Sequence, residues 1–331
     1  MSFLGKKTSN WLIASCFLFI STILFHPTVT NANGSFVSGT YEGKTYKVYV
    51  PSSYDSAKSY PLYVMLHGCG QDAEDFSIGT KMNSLSEAKG FLVLYPEQNT
   101  AANANRCWNW FDTAHQSRGS GEPNVIAGMV NQVRQSYSIK NDQIYVSGLS
   151  AGGAMSVIMG ATYPDIFSGV GVVAGLEYKA ATSALTSVNV MVYGGPYPIQ
   201  QGILAYNTMG SRAKHMPVIV FQGALDNVVY PINARQVISQ WAATNDLVID
   251  GTFRGWIDNQ PDHIQNVVPV GKPYTINSYK ANDNKVWMKS VLVQNMWHAW
   301  PGGSSAGSYT DPLGPDASAM MVEFFQTFIT K

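Results

Sequence analysis

Ile144-Tyr145-Val146-Ser147-Gly148-Leu149-Ser150-Ala151-Gly152-Gly153-Ala154-Met155 passes from a strand-like run, through a turn of small residues, into a helical pattern. A strand that turns this tightly into a helix pushes a side chain out of the backbone. The segment Gly148-Leu149-Ser150-Ala151-Gly152 has the Gly-x-Ser-x-Gly form in which that side chain is a nucleophilic serine. Its glycines leave room for the turn. A second run of the same form, Gly303-Ser304-Ser305-Ala306-Gly307, has no strand before it and leads into Ser308-Tyr309-Thr310-Asp311-Pro312 rather than a helix. Ser150, not Ser305, is therefore the expected nucleophile.

On both sides of this turn, short apolar runs alternate with helical patterns, which implies an α/β fold with a mostly parallel central sheet and helices on both faces. Strands are expected at Tyr46–Val50, Leu62–Leu66, Phe91–Tyr95, Ile144–Ser147, Val170–Val173, Val218–Phe221 and Val286–Val293. Ile126, Met129, Val130, Val133 and Tyr137 recur at helical spacing, and further helices are expected over about 154–163 and 233–244. Asp316 is placed to cap a terminal helix with an apolar face of Met321, Phe324, Phe325 and Phe328. Residues 97–121 read as a long polar loop around Cys107-Trp108-Asn109-Trp110-Phe111, and 250–284 as an insertion. No repeat or interdomain linker is visible, so one domain over 33–331 is the economical organisation.

A serine at such a turn needs an acid and then a histidine later in the chain, each just past a strand. Asp226, in Gln222-Gly223-Ala224-Leu225-Asp226, and His298, in Asn295-Met296-Trp297-His298-Ala299-Trp300, meet that requirement. The carboxylate would orient the imidazole, and the imidazole would act as general base and then general acid. Asp246, Asp250 and Asp262 are rivals that follow no comparable strand, and His215 and His263 lie in less ordered contexts. Backbone N–H groups of His67-Gly68-Cys69-Gly70, with that of Ala151, are suited to hold a tetrahedral oxyanion. Trp108 and Trp110 are expected beside the serine as an apolar substrate platform; packing residues are the plainer alternative.

Apolar residues make up 45% of the 331-residue chain and charged residues 13%, which excludes disorder and coiled coil. Net charge is zero, and without residues 1–32, whose only charges are Lys6 and Lys7, the chain is two charges negative. Nothing in that balance attracts nucleic acid or a membrane surface. Lys6-Lys7, the apolar stretch Trp11 to Phe25 and the small residues at Thr30-Asn31-Ala32 have the form of an export signal, followed by a secreted domain. The stretch is shorter than the ~20 residues that span a bilayer. Ile13-Ala14-Ser15-Cys16 resembles a lipoprotein signal, but too few apolar residues precede it. Beyond the signal only Cys69 and Cys107 remain, and in an oxidising compartment they are expected to pair, a bridge worth about 4 kcal/mol in the chain-entropy picture. No zinc-type spacing occurs, and neither a metal nor an organic cofactor is expected.

His67-Gly68-Cys69, Tyr95-Pro96-Glu97-Gln98, Cys107-Trp108-Asn109-Trp110-Phe111, Gly148-Leu149-Ser150-Ala151-Gly152-Gly153-Ala154-Met155 and His298-Ala299-Trp300-Pro301-Gly302-Gly303 together resemble the polyhydroxybutyrate (PHB) depolymerase family of esterases. The resemblance runs over nearly all of 40–303. It implies an α/β-hydrolase fold, a Ser150/Asp226/His298 triad, an oxyanion site at Cys69 and a Cys69–Cys107 bridge. It also implies cleavage of poly- or oligo-(3-hydroxyalkanoate) esters. Feruloyl and acetylxylan esterases have a similar framework, so a carbohydrate ester is the alternative substrate, and a polymer-binding module without catalysis is a third reading. The family commonly has His-Gly where this chain has Gln222-Gly223. Protein recovered from the medium of an expressing culture is expected to begin near Asn33, which intact-mass measurement checks; a mass that retains residues 1–32 would reject the signal.

Overall fold

The computed structural model describes residues 1–2 and 34–329. The expected export segment, apart from its first two residues, lies outside them. Contacts divide the chain into two units, Met1–Ala32 and Asn33–Lys331, and every element below belongs to the second.

The unit opens on a hairpin of β1 (Ser35–Tyr41) and β2 (Lys44–Val50), followed by β3 (Tyr60–Leu66), the short helices α1 (Ala73–Thr80) and α2 (Met82–Lys89), and β4 (Leu92–Pro96). Then come α3 (Gly121–Ser136), β5 (Ile139–Leu149), α4 (Ala151–Thr162), β6 (Val170–Val173), α5 (Ala184–Tyr193), α6 (Pro198–Met209) and β7 (Val218–Gly223). The chain continues through α7 (Ile232–Asp250), β8 (His263–Val267), β9 (Tyr274–Lys280), β10 (Val286–Val293), the two-residue strands β11 (Trp300–Pro301) and β12 (Thr310–Asp311), and α8 (Ala317–Gln326).

Ten strands form one sheet in the order β1-β2-β4-β3-β5-β6-β7-β10-β9-β8. The six from β4 to β10 run parallel, and antiparallel strands flank them at both ends. Strands β3, β4, β6 and β7 are buried on both faces, which is why they read as continuous apolar runs rather than alternating ones. Leu62, Val64, Val146, Val172 and Val220 face a core completed by α3, α4, α6 and α7. Tyr63, Met65, Tyr145, Ile219 and Phe221 face the opposite core, with α1, α2 and α8. Asp316 caps α8 by accepting from the Ala319 amide at 3.0 Å.

Two expectations are corrected. Residues 250–284 are not wholly an insertion, because β8 and β9 inside them pair antiparallel beyond β10 and widen the sheet. Their outward residues are polar, and this hid the strands from a reading based on apolar runs. Residues 97–121 are not a loose loop. Buried Glu122 accepts from the Asn109 backbone at 2.8 Å, from Asn109 Nδ2 at 2.7 Å and from the Gln98 amide group, which ties the segment to the start of α3.

Between β6 and α5, Glu177 is 2% exposed and neither carboxyl oxygen has a hydrogen-bond partner among the described residues. Burial pushes its carboxyl up to about 8. The unfolded chain ionises this group near pH 4.5, so its contribution to stability is complete below that value and is lost as pH rises toward 8. Glu177→Gln is expected to raise Tm by roughly 5 °C at pH 9 and by no more than about 2 °C at pH 5. Thermal scans at the two pH values check this, and equal shifts at both would show that Glu177 is not a buried neutral acid.

Candidate active site

β5 ends at Leu149, and α4 begins at Ala151, so Ser150 alone makes the turn, at φ 57° and ψ −119°. The turn is this tight because α4 starts against the end of β3: a Cβ on Gly152 would fall 2.0 Å from the Leu66 carbonyl oxygen and 2.6 Å from that of His67. Only glycine permits that approach. The Ser150 amide donates to Val173 O at 2.8 Å, which anchors the turn to β6.

Asp226 follows β7 in a turn closed by its own amide on Gly223 O (3.2 Å). It is 3% exposed, yet four donors surround its carboxylate. Val228 and Val229 amides reach Oδ1 at 2.9 Å each, and Gln222 Nε2 at 3.0 Å and His298 Nδ1 at 2.8 Å reach Oδ2. A carboxylate only accepts, so Nδ1 carries the imidazole proton and Nε2 is left with its lone pair. The His298 turn reaches this position because it lies directly on Gly223, where a Cβ would be 2.4 Å from both Met296 O and Trp297 O. Ser150 and His298 line one cavity but are not joined by a hydrogen bond, a contact that in ligand-free sites commonly tightens only when substrate binds.

In the loop after β3, the Gly68 amide donates to Gln71 Oε1 (2.9 Å) and the Gly70 amide to Asn105 O (2.8 Å). Neither the Cys69 amide nor the Ala151 amide at the start of α4 has an acceptor among the described residues. Three ties fix the loop to residues 105–108: the Cys69–Cys107 disulfide, the Gly70–Asn105 bond, and Trp108 Nε1 donating to His67 O at 3.1 Å. His67 itself is fully buried, with Nδ1 against Gly68 O (2.7 Å) and Nε2 accepting the Gln98 amide (3.0 Å). Burial lowers its pKa and keeps it neutral, as that pairing requires.

The cavity over Ser150, about 200 Å³, is lined by Gly68, Cys69, Leu149, Met191, Val228, His298 and Tyr309 besides the serine. Trp108 and Trp110 do not line it. They are 0% and 5% exposed and belong to the core, because the loop carrying them folds inward under the disulfide; the substrate-platform expectation is corrected accordingly. Tyr309 was not anticipated, since it sits in a Gly/Ser-rich run with no periodicity. It is fixed by its carbonyl, which accepts the Trp300 amide at 2.7 Å, where β12 pairs with β11. Met191 comes from α5 and Val228 from the acid loop. Ser305 lies exposed in an irregular loop, and His263 lies exposed on β8. Among the described residues, no three His, Cys, Asp or Glu side chains are grouped to hold a metal ion, and no helix is long and apolar enough to cross a membrane.

Residues 44–261 match the family described as Esterase PHB depolymerase, a stretch that includes Ser150 and Asp226 and stops before His298. Poly(3-hydroxyalkanoate) depolymerase C of Paucimonas lemoignei is 33% identical over 250 residues, 75% of this chain and 57% of that protein. Feruloyl esterase B of Neurospora crassa is 31% identical over 189 residues, 55% of this chain and 64% of that protein. The chain thus spans less than two thirds of the length of either relative. Among solved structures, an acetyl xylan esterase from Aspergillus awamori superposes with a TM-score of 0.69 at 21% identity, covering 88% of this chain and 99% of that one. The fold is accordingly that of the α/β-hydrolases.

In the sequence Gln222 stands out only as a departure from His-Gly, whereas the structure makes it a donor to the Asp226 carboxylate. A hydrogen bond to a charged group is worth about 1.5–3 kcal/mol, so Gln222→Met is expected to slow labelling of Ser150 by a fluorophosphonate roughly 10- to 100-fold. An unchanged labelling rate, with the fold intact by circular dichroism, would mean that this bond does not support Asp226.

Proposed function

The chain belongs to the esterase PHB depolymerase family, and on that basis we propose that it is a serine esterase cleaving poly- or oligo-(3-hydroxyalkanoate) esters through an acyl-enzyme on Ser150. His298 Nε2 takes the Ser150 hydroxyl proton as Oγ attacks the ester carbonyl carbon. Asp226, with its other donors in place, stabilises the imidazolium that forms. The tetrahedral oxyanion accepts the free amides of Cys69 and Ala151. Collapse breaks the ester C–O bond, and His298 returns its proton to the departing alkoxide. In the second half, water gives its proton to His298 and attacks the acyl carbonyl, and the acid leaves as Ser150 recovers its proton. No metal or organic cofactor enters the cycle.

The observation that carries the substrate class is the lining over Ser150. Apart from Ser150 and His298 it offers Leu149, Met191, Val228, Tyr309 and the Gly68–Cys69 loop, with no charged or amide side chain to pair sugar hydroxyls. A short aliphatic acyl group fits that lining. The Tyr309 ring and the likeness to the Neurospora enzyme favour the second reading, a feruloyl or acetylxylan ester on plant polysaccharide. In both readings residues 1–32 are an export signal, and 33–331 are a single secreted catalytic domain.

Wild type and Ser150→Ala incubated in parallel with a soluble 3-hydroxybutyrate oligomer and a feruloylated xylo-oligosaccharide separate these readings by mass spectrometry of products. Hydroxybutyrate units are expected from the wild type alone, with Ser150→Ala slower by at least about 10³-fold, as for loss of a nucleophile. Ferulate alone would move the function to cell-wall esters. Silence on both, together with failure of Ser150 to take up a fluorophosphonate, would point to a non-catalytic polymer-binding module.

A further inference from the structure

Three segments border the Ser150 cavity: 180–211 supplies Met191, 224–234 supplies Val228, and 294–310 supplies His298 and Tyr309. Hydrogen bonds lay them side by side. The Tyr230 amide donates to Met191 O at 2.9 Å, the Leu225 amide to Met296 O at 2.9 Å, and the Trp300 amide to Tyr309 O at 2.7 Å. Charged residues make up 13% of the chain, yet the only Asp, Glu, Lys or Arg in these segments is Asp226, which is buried. On the remaining side, past the disulfide, Arg106 is paired with Asp72 at 3.4 Å. The three segments thus present no exposed Asp, Glu, Lys or Arg around the mouth of the cavity.

What they present instead is apolar. Leu185 is 95% exposed, and Val188, Leu225, Tyr230, Trp297 and Tyr309 stand between 39% and 67% exposed. Leu185, Val188 and Met191 follow one another at three-residue spacing along α5, so one side of the helix carries the apolar lining of the cavity outward to the surface. Large apolar side chains gathered in water at the mouth of a cavity mark a surface that a partner covers. Without charge, that surface offers nothing to a polyanion or an anionic membrane. The cavity beside it narrows the choice further. At about 200 Å³ it is smaller than the ~300 Å³ at which sites for drug-sized ligands begin, so it admits a short acyl group and not a fatty acyl chain.

We infer that this rim is an adsorption surface, which seats the catalytic unit on a solid, uncharged aliphatic polyester so that a short acyl repeat exposed there enters the cavity over Ser150. Such a polymer meets each condition: it is apolar, it carries no charge along its length, and every repeat presents an ester with a short acyl group. Adsorption rests on the rim alone. The identity of the repeat that is cleaved rests on the proposed function.

Co-sedimentation of full-length Ser150→Ala protein, which leaves the polymer intact, with poly(3-hydroxybutyrate) particles measures adsorption. Adding Leu185→Asp and Val188→Asp is expected to weaken it at least about tenfold. Both positions lie in the N-terminal half of α5, where acidic side chains suit the helix dipole, so this variant is expected to fold. Ile264→Asp, at an exposed apolar residue of the edge strand β8 outside the rim, is expected to leave adsorption within about twofold. Adsorption unaffected by the α5 substitutions, or weakened as much by Ile264→Asp, would overturn the surface. Tighter retention on phosphatidylcholine vesicles than on the polyester would also overturn it and assign the face to lipid. A dimer seen by analytical ultracentrifugation and lost with the α5 substitutions would assign it to a second copy of the chain. Wild-type cleavage of soluble 3-hydroxybutyrate oligomers without rim-dependent adsorption would reject the surface and leave the proposed function standing. Rim-dependent adsorption without release of hydroxybutyrate would keep the surface and reject the proposed substrate.

Discussion

The backbone of Ser150 is held in a conformation that non-glycine residues avoid, at a strain of roughly 1–3 kcal/mol. That strain is sustained because β5 and α4 are each locked to their neighbours: β5 pairs with β3 on one side and β6 on the other, and α4 starts hard against the end of β3 through Gly152. Relaxing the turn would mean lifting α4, whose every residue is buried. The same close approach brings the Ala151 amide next to the loop that follows β3, so one backbone constraint positions both the hydroxyl and one of the two free N–H groups.

The second half of the site is organised around a buried charge. Asp226 sits almost out of water, where an unpaired carboxylate would be untenable, and is sustained by two backbone amides, one side-chain amide and one imidazole. Its loop and the His298 turn come from different strands, yet they touch at Gly223, so the geometry of acid and base is set by the parallel pairing of β7 with β10. Loops at the carboxyl ends of adjacent parallel strands converge in this way by construction.

Most of the parallel strands were legible in the sequence because burial on both faces leaves uninterrupted apolar runs, as at Val170–Val173; Val286–Val293 is also observed as expected, although Lys289 and Ser290 interrupt its run and its burial alternates. Ser150, Asp226 and His298 stand out in the sequence as a candidate triad because each lies just past the end of a strand. The edge elements were not: β1, β8 and β9 carry polar residues on their outward faces, and α5 has no buried stripe to set a period. Trp108 and Trp110 misled because an aromatic island in a polar loop looks the same whether the loop covers the site or folds into the core. Buried Glu122 and Gln116 decide between these, through hydrogen bonds to Asn109, Trp110 and Ala181 that leave no apolar pattern in the sequence. Tyr309 depends on a two-residue strand pair too short to leave a pattern.

α5 contributes Met191 to the cavity over Ser150 but contributes no buried residue to either core, and Leu185, Val188 and Tyr193 stand open to solvent. Over evolutionary time that separation matters. Only Val190 and Met191 of this helix pack against a core, and both are only partly buried, so a change at Met191 reshapes what fits above the serine at a modest cost in packing, and the rest of the helix can vary nearly free of one. The elbow and the acid loop have no such latitude. Divergence in substrate among proteins built on this scaffold is therefore expected to concentrate between β6 and β7, while the strands on either side change little.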